Sequence, residues 1–396
     1  MIIKKIKAKK ILDSNKDVTI QLAVISDIGK GVASAPNGSY EEINAFSKNG
    51  IDFTINFINK DLDQALKNFK IDNFSDFEKL EEEIKKFDNT EDLEIIGSNT
   101  LIALEYAILK AISKNNVWKF LNPDIKQVPR PLTNLITSND FKEFLSISLN
   151  SRNFIKAADI NSAISSVLKR ELKNLDKDFT GNQINGAWFS NLSIQQILDL
   201  VKDVTGEASK QIPFTINMGI NVNASNLFDY NKNKYEYKNF SVGEKERSLS
   251  REEQIKFISY LIEKYNLNYI EDPLHEEDFE GYSTLKKNYG HRCLIASSNL
   301  NLTNFKKSDE ENCINAVVIK PNKIGSLIKT KNLIDSAKEN KINTIISERS
   351  GETEDTTISH LAVAFEIPII KLSILGKERL IKIKEINDIE KQIKNK

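Results

Sequence analysis

Ser347-Glu348-Arg349-Ser350-Gly351-Glu352-Thr353-Glu354-Asp355-Thr356-Thr357 is the stretch on which the reading of the chain turns. It follows the apolar run Asn343–Ile346 and concentrates Glu348, Arg349, Glu352, Glu354 and Asp355 around one glycine and several hydroxyls. An apolar strand that stops in charged and hydroxyl residues, then leads into an amphipathic helix, has the pattern of a βα loop in an α/β barrel. Barrel chemistry sits at that C-terminal face of the strands. A ligand is therefore expected near this loop, with other strand ends converging on it.

Outward from the loop, the same alternation extends through most of the chain. Strand patterns at Pro131–Ile136 and Phe144–Leu149 precede a long helical pattern over Ile155–Leu175. Helix Ile194–Val204 leads to strand Phe214–Val222, and helix Arg251–Tyr265 to strand Tyr269–Asp272. Further strands are expected at Cys293–Ala296, Ala316–Ile319, Thr344–Ile346 and Ile369–Lys371. Ahead of them the order changes to strands first (Ile2–Leu12, Val18–Ile25, Val32–Ala35) and helices afterwards, from Asp61 to Lys114, with Ser98 or Asn99 as a cap. Pro123, Pro129 and Pro131 mark a boundary between the two regimes. The expected organisation is an α+β N-terminal domain over residues 1–125, capping a (β/α)8 barrel over residues 126–396.

The bulk properties exclude several classes of partner. Among 396 residues, 56 Lys and Arg balance 56 Asp and Glu, so nothing electrostatic favours nucleic acid or an anionic membrane surface. No apolar run reaches the roughly 18 residues that a membrane span needs. Cys293 and Cys313 are two thiols in a long chain, which fits a reducing compartment, so a cytoplasmic protein is expected.

Two motifs carry a resemblance to a known family. Ile270-Glu271-Asp272-Pro273-Leu274 with the following H-E-E-D-F-E-G-Y resembles the enolase signature around its central metal-binding glutamate. Ser347–Thr357 resembles the enolase signature S-H-R-S-G-E-T-E-D-T with one substitution. Weaker echoes run in family order along the chain: Ala8–Leu22, Gly97–Ala111, Val317–Ser326 and the tail segment I-K-L-S-I-L-G-K-E-R-L. The resemblance implies a capped barrel, usually a homodimer, and reversible dehydration of 2-phosphoglycerate to phosphoenolpyruvate. In that reaction a lysine takes the α-proton and magnesium ions stabilise the developing dianion, without which the intermediate is too costly.

Carried over position by position, the resemblance makes Lys320 the general base and Lys371 the second, substrate-holding lysine. It makes Glu271 a metal ligand, Glu143 part of the acid-side network, and Arg349 with Ser350 the phosphate grip. Other positions depart from the pattern. Asn221 and Ser298 stand where the family has its other two metal ligands, and Asn299 replaces the aspartate beside the second. Asn185 replaces the glutamate that acts on the leaving hydroxyl, with Ile184 in place of its acidic neighbour. Asn37, in P-N-G-S-Y, replaces the loop serine, Glu348 replaces the signature histidine, and the loop histidine expected between Leu135 and Phe141 is absent.

Magnesium takes several hard, preferably anionic oxygens, so Glu271 beside Asn221 and Ser298 is expected to hold it poorly. The leading expectation is therefore an enolase-like protein that is catalytically degenerate, needs no cofactor, and keeps a site for a phosphorylated or carboxylated small molecule. Two alternatives stand beside it. One is an active or weak enolase, or a lyase on another hydroxy acid, using Mg2+ with Glu348 or Glu143 in the lost roles. The other is a structural partner of a complete enolase. Loss of the metals would leave Lys320, Lys371 and Arg349 facing one another, and Glu348 is expected to pair with Lys371 or Lys320. Glu271 is expected to partner Lys320. Glu276, Glu277 and Asp278 are further carboxylates that a rearranged loop could bring to the barrel mouth.

Overall fold

The computed structural model describes residues 1–38, 45–90, 93–151, 153–299 and 312–395. Ser39 and Tyr40, which end the quoted segment P-N-G-S-Y, lie outside the described residues.

The N-terminal part starts with an antiparallel sheet of β1 (Ile3–Leu12), β2 (Val18–Ser26) and β3 (Lys30–Ser34). Helix Ser98–Ser113 packs on β2 and β3. The approach is so close that a Cβ on Gly31 would come within 1.9 Å of the Ala107 carbonyl, which only glycine tolerates. The helical stretch begins at Ile51, earlier than the periodicity suggested. The cap of helix Ser98–Ser113 is Gly97 at φ 83, not Ser98 or Asn99. A positive φ at that position suits glycine, and no side-chain cap bond forms there.

From Arg130 onward eight strands close a barrel. They are β4 (Arg130–Thr137), β5 (Glu143–Ile147), β6 (Asn217–Asn221), β7 (Tyr269–Glu271), β8 (Leu294–Ser297), β9 (Ala316–Ile319), β10 (Asn343–Ser347) and β11 (Ile369–Lys371). Closure comes from β11 pairing with β4. Strand β5 alone runs antiparallel to both its neighbours, β4 and β6, while every other pair is parallel. Leu132, Leu145, Ile147, Tyr269, Ala296, Ala316, Val318, Ile345 and Ile369 form a separate buried cluster of barrel-strand side chains. The barrel is therefore a packed core and chemistry is confined to its ends.

The direction of β5 matters for the site. An antiparallel strand begins at the face where its parallel neighbours end. Glu143, its first residue, therefore sits in register with Asn221, the last residue of β6, which itself pairs with Glu271, the last residue of β7. Ser347 and Lys371 close β10 and β11 in register with each other. Two features escaped the periodicity. A hairpin of Gln183–Ile184 with Ala187–Phe189 and a small sheet of Phe228–Asp229, Lys234–Tyr237 and Arg247–Leu249 are built from strands of two to four residues. Such strands are too short for alternation to register.

Candidate active site

The strand ends meet in a cavity of about 90 Å³ lined by Lys142, Glu143, Asn185, Asn221, Glu271, Lys320, Ser347, Glu348, Arg349, Ser350 and Lys371. That holds several waters or a small anion, at roughly 10–15 Å³ for each water. The position is the one the Ser347–Thr357 stretch implied. Asn37, Ser298 and Asn299 do not line it.

At its centre, the Lys371 ammonium lies between two carboxylates. It contacts Glu143 Oε2 and donates to Glu271 Oε2 at 2.6 Å, with Lys371 and Glu271 side chains 5% and 0% exposed. Burial alone would lower the lysine pKa, but Glu143 and then Glu271 hold it above its ordinary value. Glu271 responds in the opposite sense. Burial would raise it, yet Lys371, then Lys320, keep it below the usual carboxylate range. The remaining donors complete the arrangement. Tyr269 donates its hydroxyl to Glu271 Oε2 at 2.6 Å, while Asn221 Nδ2 donates to Glu143 Oε2 at 2.8 Å and to Glu271 Oε1 at 3.1 Å. Glu271 therefore partners Lys371 directly, not Lys320 as expected, each side chain standing at the last residue of its barrel strand. Asn221 Oδ1 is buried without a hydrogen-bond partner.

Lys320, just past β9, donates to Ser298 Oγ at 3.3 Å. Ser298 in turn donates to Asp272 Oδ2 at 2.5 Å and its backbone N–H donates to Asp272 Oδ1 at 2.8 Å. Asp272 thus reaches Lys320 through Ser298, and its own pKa is raised by burial and by neighbouring Glu271. Burial, with Lys142 second, pulls the Lys320 amine down to about 7, against the opposing pull of Glu271. Lys142 was not singled out from the sequence, although it immediately precedes Glu143. An amine at about 7 in the folded chain, against 10.5 ordinarily, has a stability consequence. Between those values the unfolded chain binds a proton that the folded chain does not, so stability rises with pH through that window. Lys320→Met is expected to remove this component. Denaturant unfolding of parent and variant at neutral and alkaline pH checks it, and identical pH slopes would count against the assignment.

Glu348 does not reach Lys371 or Lys320. Its Oε1 accepts from the Ser373 N–H at 2.6 Å and its Oε2 lies 3.2 Å from Arg379 Nε. Lys371 is already saturated by two carboxylates, whereas Arg379, from helix Lys377–Lys394, approaches under the loop. Arg379 also donates to the Ser350 carbonyl at 3.1 Å. Its signal was present in the G-K-E-R-L tail but nothing in the spacing tied it to Glu348. Burial raises the Glu348 carboxyl, with Arg379 opposing. The Arg349 guanidinium is pulled down to about 10 by burial, with Glu352 opposing, and its backbone N–H donates to Glu352 Oε1 at 2.7 Å.

Of the other substituted positions, Asn185 lines the cavity, while Asn37 and Asn299 lie off it. Asn37 exchanges backbone hydrogen bonds with Gly351, at 2.7 and 3.1 Å, and donates its amide to Asp13 Oδ2 at 3.1 Å. With Ser14, whose N–H donates to the Glu352 carbonyl at 2.8 Å, and the Lys110–Asp355 ion pair at 2.7 Å, it ties the N-terminal part to the Ser347–Thr357 loop. Asn185 sits at φ 53 in the hairpin and accepts from Ser373 Oγ through its carbonyl at 2.9 Å. Asn299 accepts from Lys323 at 3.0 Å. Asp278 caps helix Phe279–Tyr289 and pairs with Arg251, Glu276 and Glu277 are exposed, and none of the three lines the cavity.

A capped barrel with an antiparallel second strand, two lysines and two glutamates at the strand ends, and an arginine–serine loop over them defines an enolase-type architecture. The family model for "Enolase, C-terminal TIM barrel domain" matches residues 129–396, and that for "Enolase, N-terminal domain" matches residues 3–121. Proteins named enolase from Methanosphaera stadtmanae, Methanothermobacter thermautotrophicus and Methanocorpusculum labreanum are 33%, 32% and 33% identical, over 100%, 99% and 96% of this chain and 98%, 97% and 96% of theirs. The chain belongs to the enolase family. Among the described residues, no helix is long and apolar enough to cross a membrane.

Proposed function

We propose that this member of the enolase family no longer carries out metal-dependent dehydration and instead uses its barrel mouth to hold a small phosphorylated or carboxylated molecule. One observation carries the reading: the Lys371 ammonium bridges Glu143 and Glu271, so both carboxylates already have a cationic partner from the chain itself. The donor set does not fit a magnesium ion. Glu271 has both oxygens engaged, Asn221 turns its Nδ2 toward the two carboxylates and leaves only the neutral Oδ1 open, and Ser298 is committed to Asp272 and Lys320. Magnesium takes near-octahedral oxygen, usually one or two carboxylates completed by waters and substrate phosphate, and Lys371 already occupies both carboxylates here. Among the described residues, no group of three or more His, Cys, Asp and Glu is placed to hold a metal. Lys320, Lys142, Arg349 and Ser350 remain on the cavity wall as groups that attract an oxyanion.

A second reading, that the chain is an active enolase, is favoured by the names of its full-length relatives and by the amine of Lys320. A lysine held at about 7 is a competent base near neutral pH. One experiment separates the two: phosphoenolpyruvate formation from 2-phosphoglycerate with Mg2+, alongside the melting temperature with each added alone. The proposed reading expects no turnover above background, no shift with Mg2+, and stabilisation by the phosphorylated compound without metal. Turnover of about 1 per second or faster, the ordinary enzymatic range, sinks it in favour of the second reading.

A further inference from the structure

A recess roomier than the mouth, about 440 Å³, lies at the opposite end of the barrel, where Arg130, Leu294, Asn343 and Ile369 begin β4, β8, β10 and β11. In a barrel this end ordinarily serves stability, so a roomy, cationic recess there calls for an account. Its size falls in the range of small-molecule sites.

The charge on its wall is unbalanced. Arg130, Arg292 and His291 line it against a single carboxylate, the exposed Glu366. Arg292 is occupied, donating to Asn266 Oδ1 at 3.0 Å and lying over the Tyr289 ring. Arg130 is not. Its Nη1 reaches only the Val128 carbonyl, at 3.4 Å, and its Nε is buried without a hydrogen-bond partner. Glu390, the carboxylate that acts on it electrostatically, is taken by Lys394 at 2.8 Å and by the Phe154 N–H at 3.2 Å. An orphaned guanidinium N–H out of water is costly, and a planar fork of donors is matched by an oxyanion. Leu149 and Ile367 supply an apolar wall beside it.

We infer that the base of the barrel is a second binding site, for a small oxyanion with a short apolar body, gripped by the terminal nitrogens of Arg130. Carboxylates and phosphate monoesters share this chemistry. The site is independent of the barrel mouth and of what the mouth does.

The test is calorimetric titration of the full chain with phenyl phosphate and, separately, phenylacetate, on the parent and on three variants. Arg130→Met removes the grip. Leu149→Glu places an anion at a wall position that is 41% exposed, so the fold is spared if Arg130→Met proves unstable. Arg349→Met disables the mouth alone. The expected result is millimolar or tighter binding to the parent, weakened about tenfold or more by each of Arg130→Met and Leu149→Glu and unchanged in Arg349→Met. The tighter of the two probes identifies the head group. Absence of binding to the parent at millimolar probe overturns the inference. So does binding lost only in Arg349→Met, or full affinity retained in Leu149→Glu.

Discussion

Lys371→Met is expected to lose about 3–5 kcal/mol of stability at neutral pH, the cost of stranding buried charge by removing its partner. Lys371 is the cation that both Glu143 and Glu271 contact, and the three side chains are 5%, 11% and 0% exposed. Without it, Asn221 and Tyr269 remain as donors, and two carboxylates share one desolvated space. One of them would take up a proton, since like charges in that position cannot both stay ionised. The sign with pH follows. In the parent, Glu271 has a depressed pKa, so its contribution is present above the ordinary carboxylate value and fades as pH falls through the folded one. In the variant the pair is raised, so acid restores what neutral pH costs. The gap between parent and variant is therefore expected to narrow as pH is lowered. Urea unfolding at neutral and mildly acidic pH measures both effects. A loss under about 1 kcal/mol would class the bridge with exposed ion pairs and remove the main support for a mouth whose carboxylates are paired by the chain itself.

The second large effect is expected at Glu348, where the family signature has histidine. Glu348→His is expected to cost about 3 kcal/mol, toward the lower end for a stranded buried charge. The lower end applies because the contact with Arg379, at 3.2 Å, is an ion pair without hydrogen-bond alignment. Arg379, with its side chain 4% exposed, would keep the Ser350 carbonyl and lose the carboxylate. Glu348→Gln is expected to cost less, since an amide oxygen still accepts from the Ser373 N–H. A double-mutant cycle with Arg379→Met isolates the coupling. If the histidine variant proves as stable as the parent, the exchange of histidine for glutamate has no compensating role in charge balance, and the family residue simply fits the same space.

The two results bear on one idea from different sides. Both concern how the barrel mouth balances its charge with the chain's own residues. Lys371 does so on the cavity wall and Arg379 beneath the Ser347–Thr357 loop. Activity with 2-phosphoglycerate and Mg2+ then asks whether any chemistry survives that balance.

The sequence by itself determined the barrel, its order of elements and the place of the mouth. Alternation and apolar runs are local properties, and Arg251–Tyr265, Ala316–Ile319 and Ile369–Lys371 have the bounds their patterns predicted. It also determined which donor types stand at Asn221 and Ser298, because an amide or a hydroxyl cannot supply the charge of a carboxylate whatever surrounds it. Which charges meet was decided only by tertiary structure. Lys371 had several carboxylates to choose from. Glu143 reaches it because β5 runs antiparallel and starts at the mouth, a fact that periodicity does not encode since an alternating pattern reads the same in both directions. Glu348 faced an equally open choice and took Arg379, from a helix that folds back beneath the loop. Asn37, in the place of a loop serine, proved to fasten the N-terminal part to Gly351. Ser347–Thr357 is held by these contacts from both sides. Its composition announced where the strand ends converge, and the geometry of residues distant in sequence set what its charges do there.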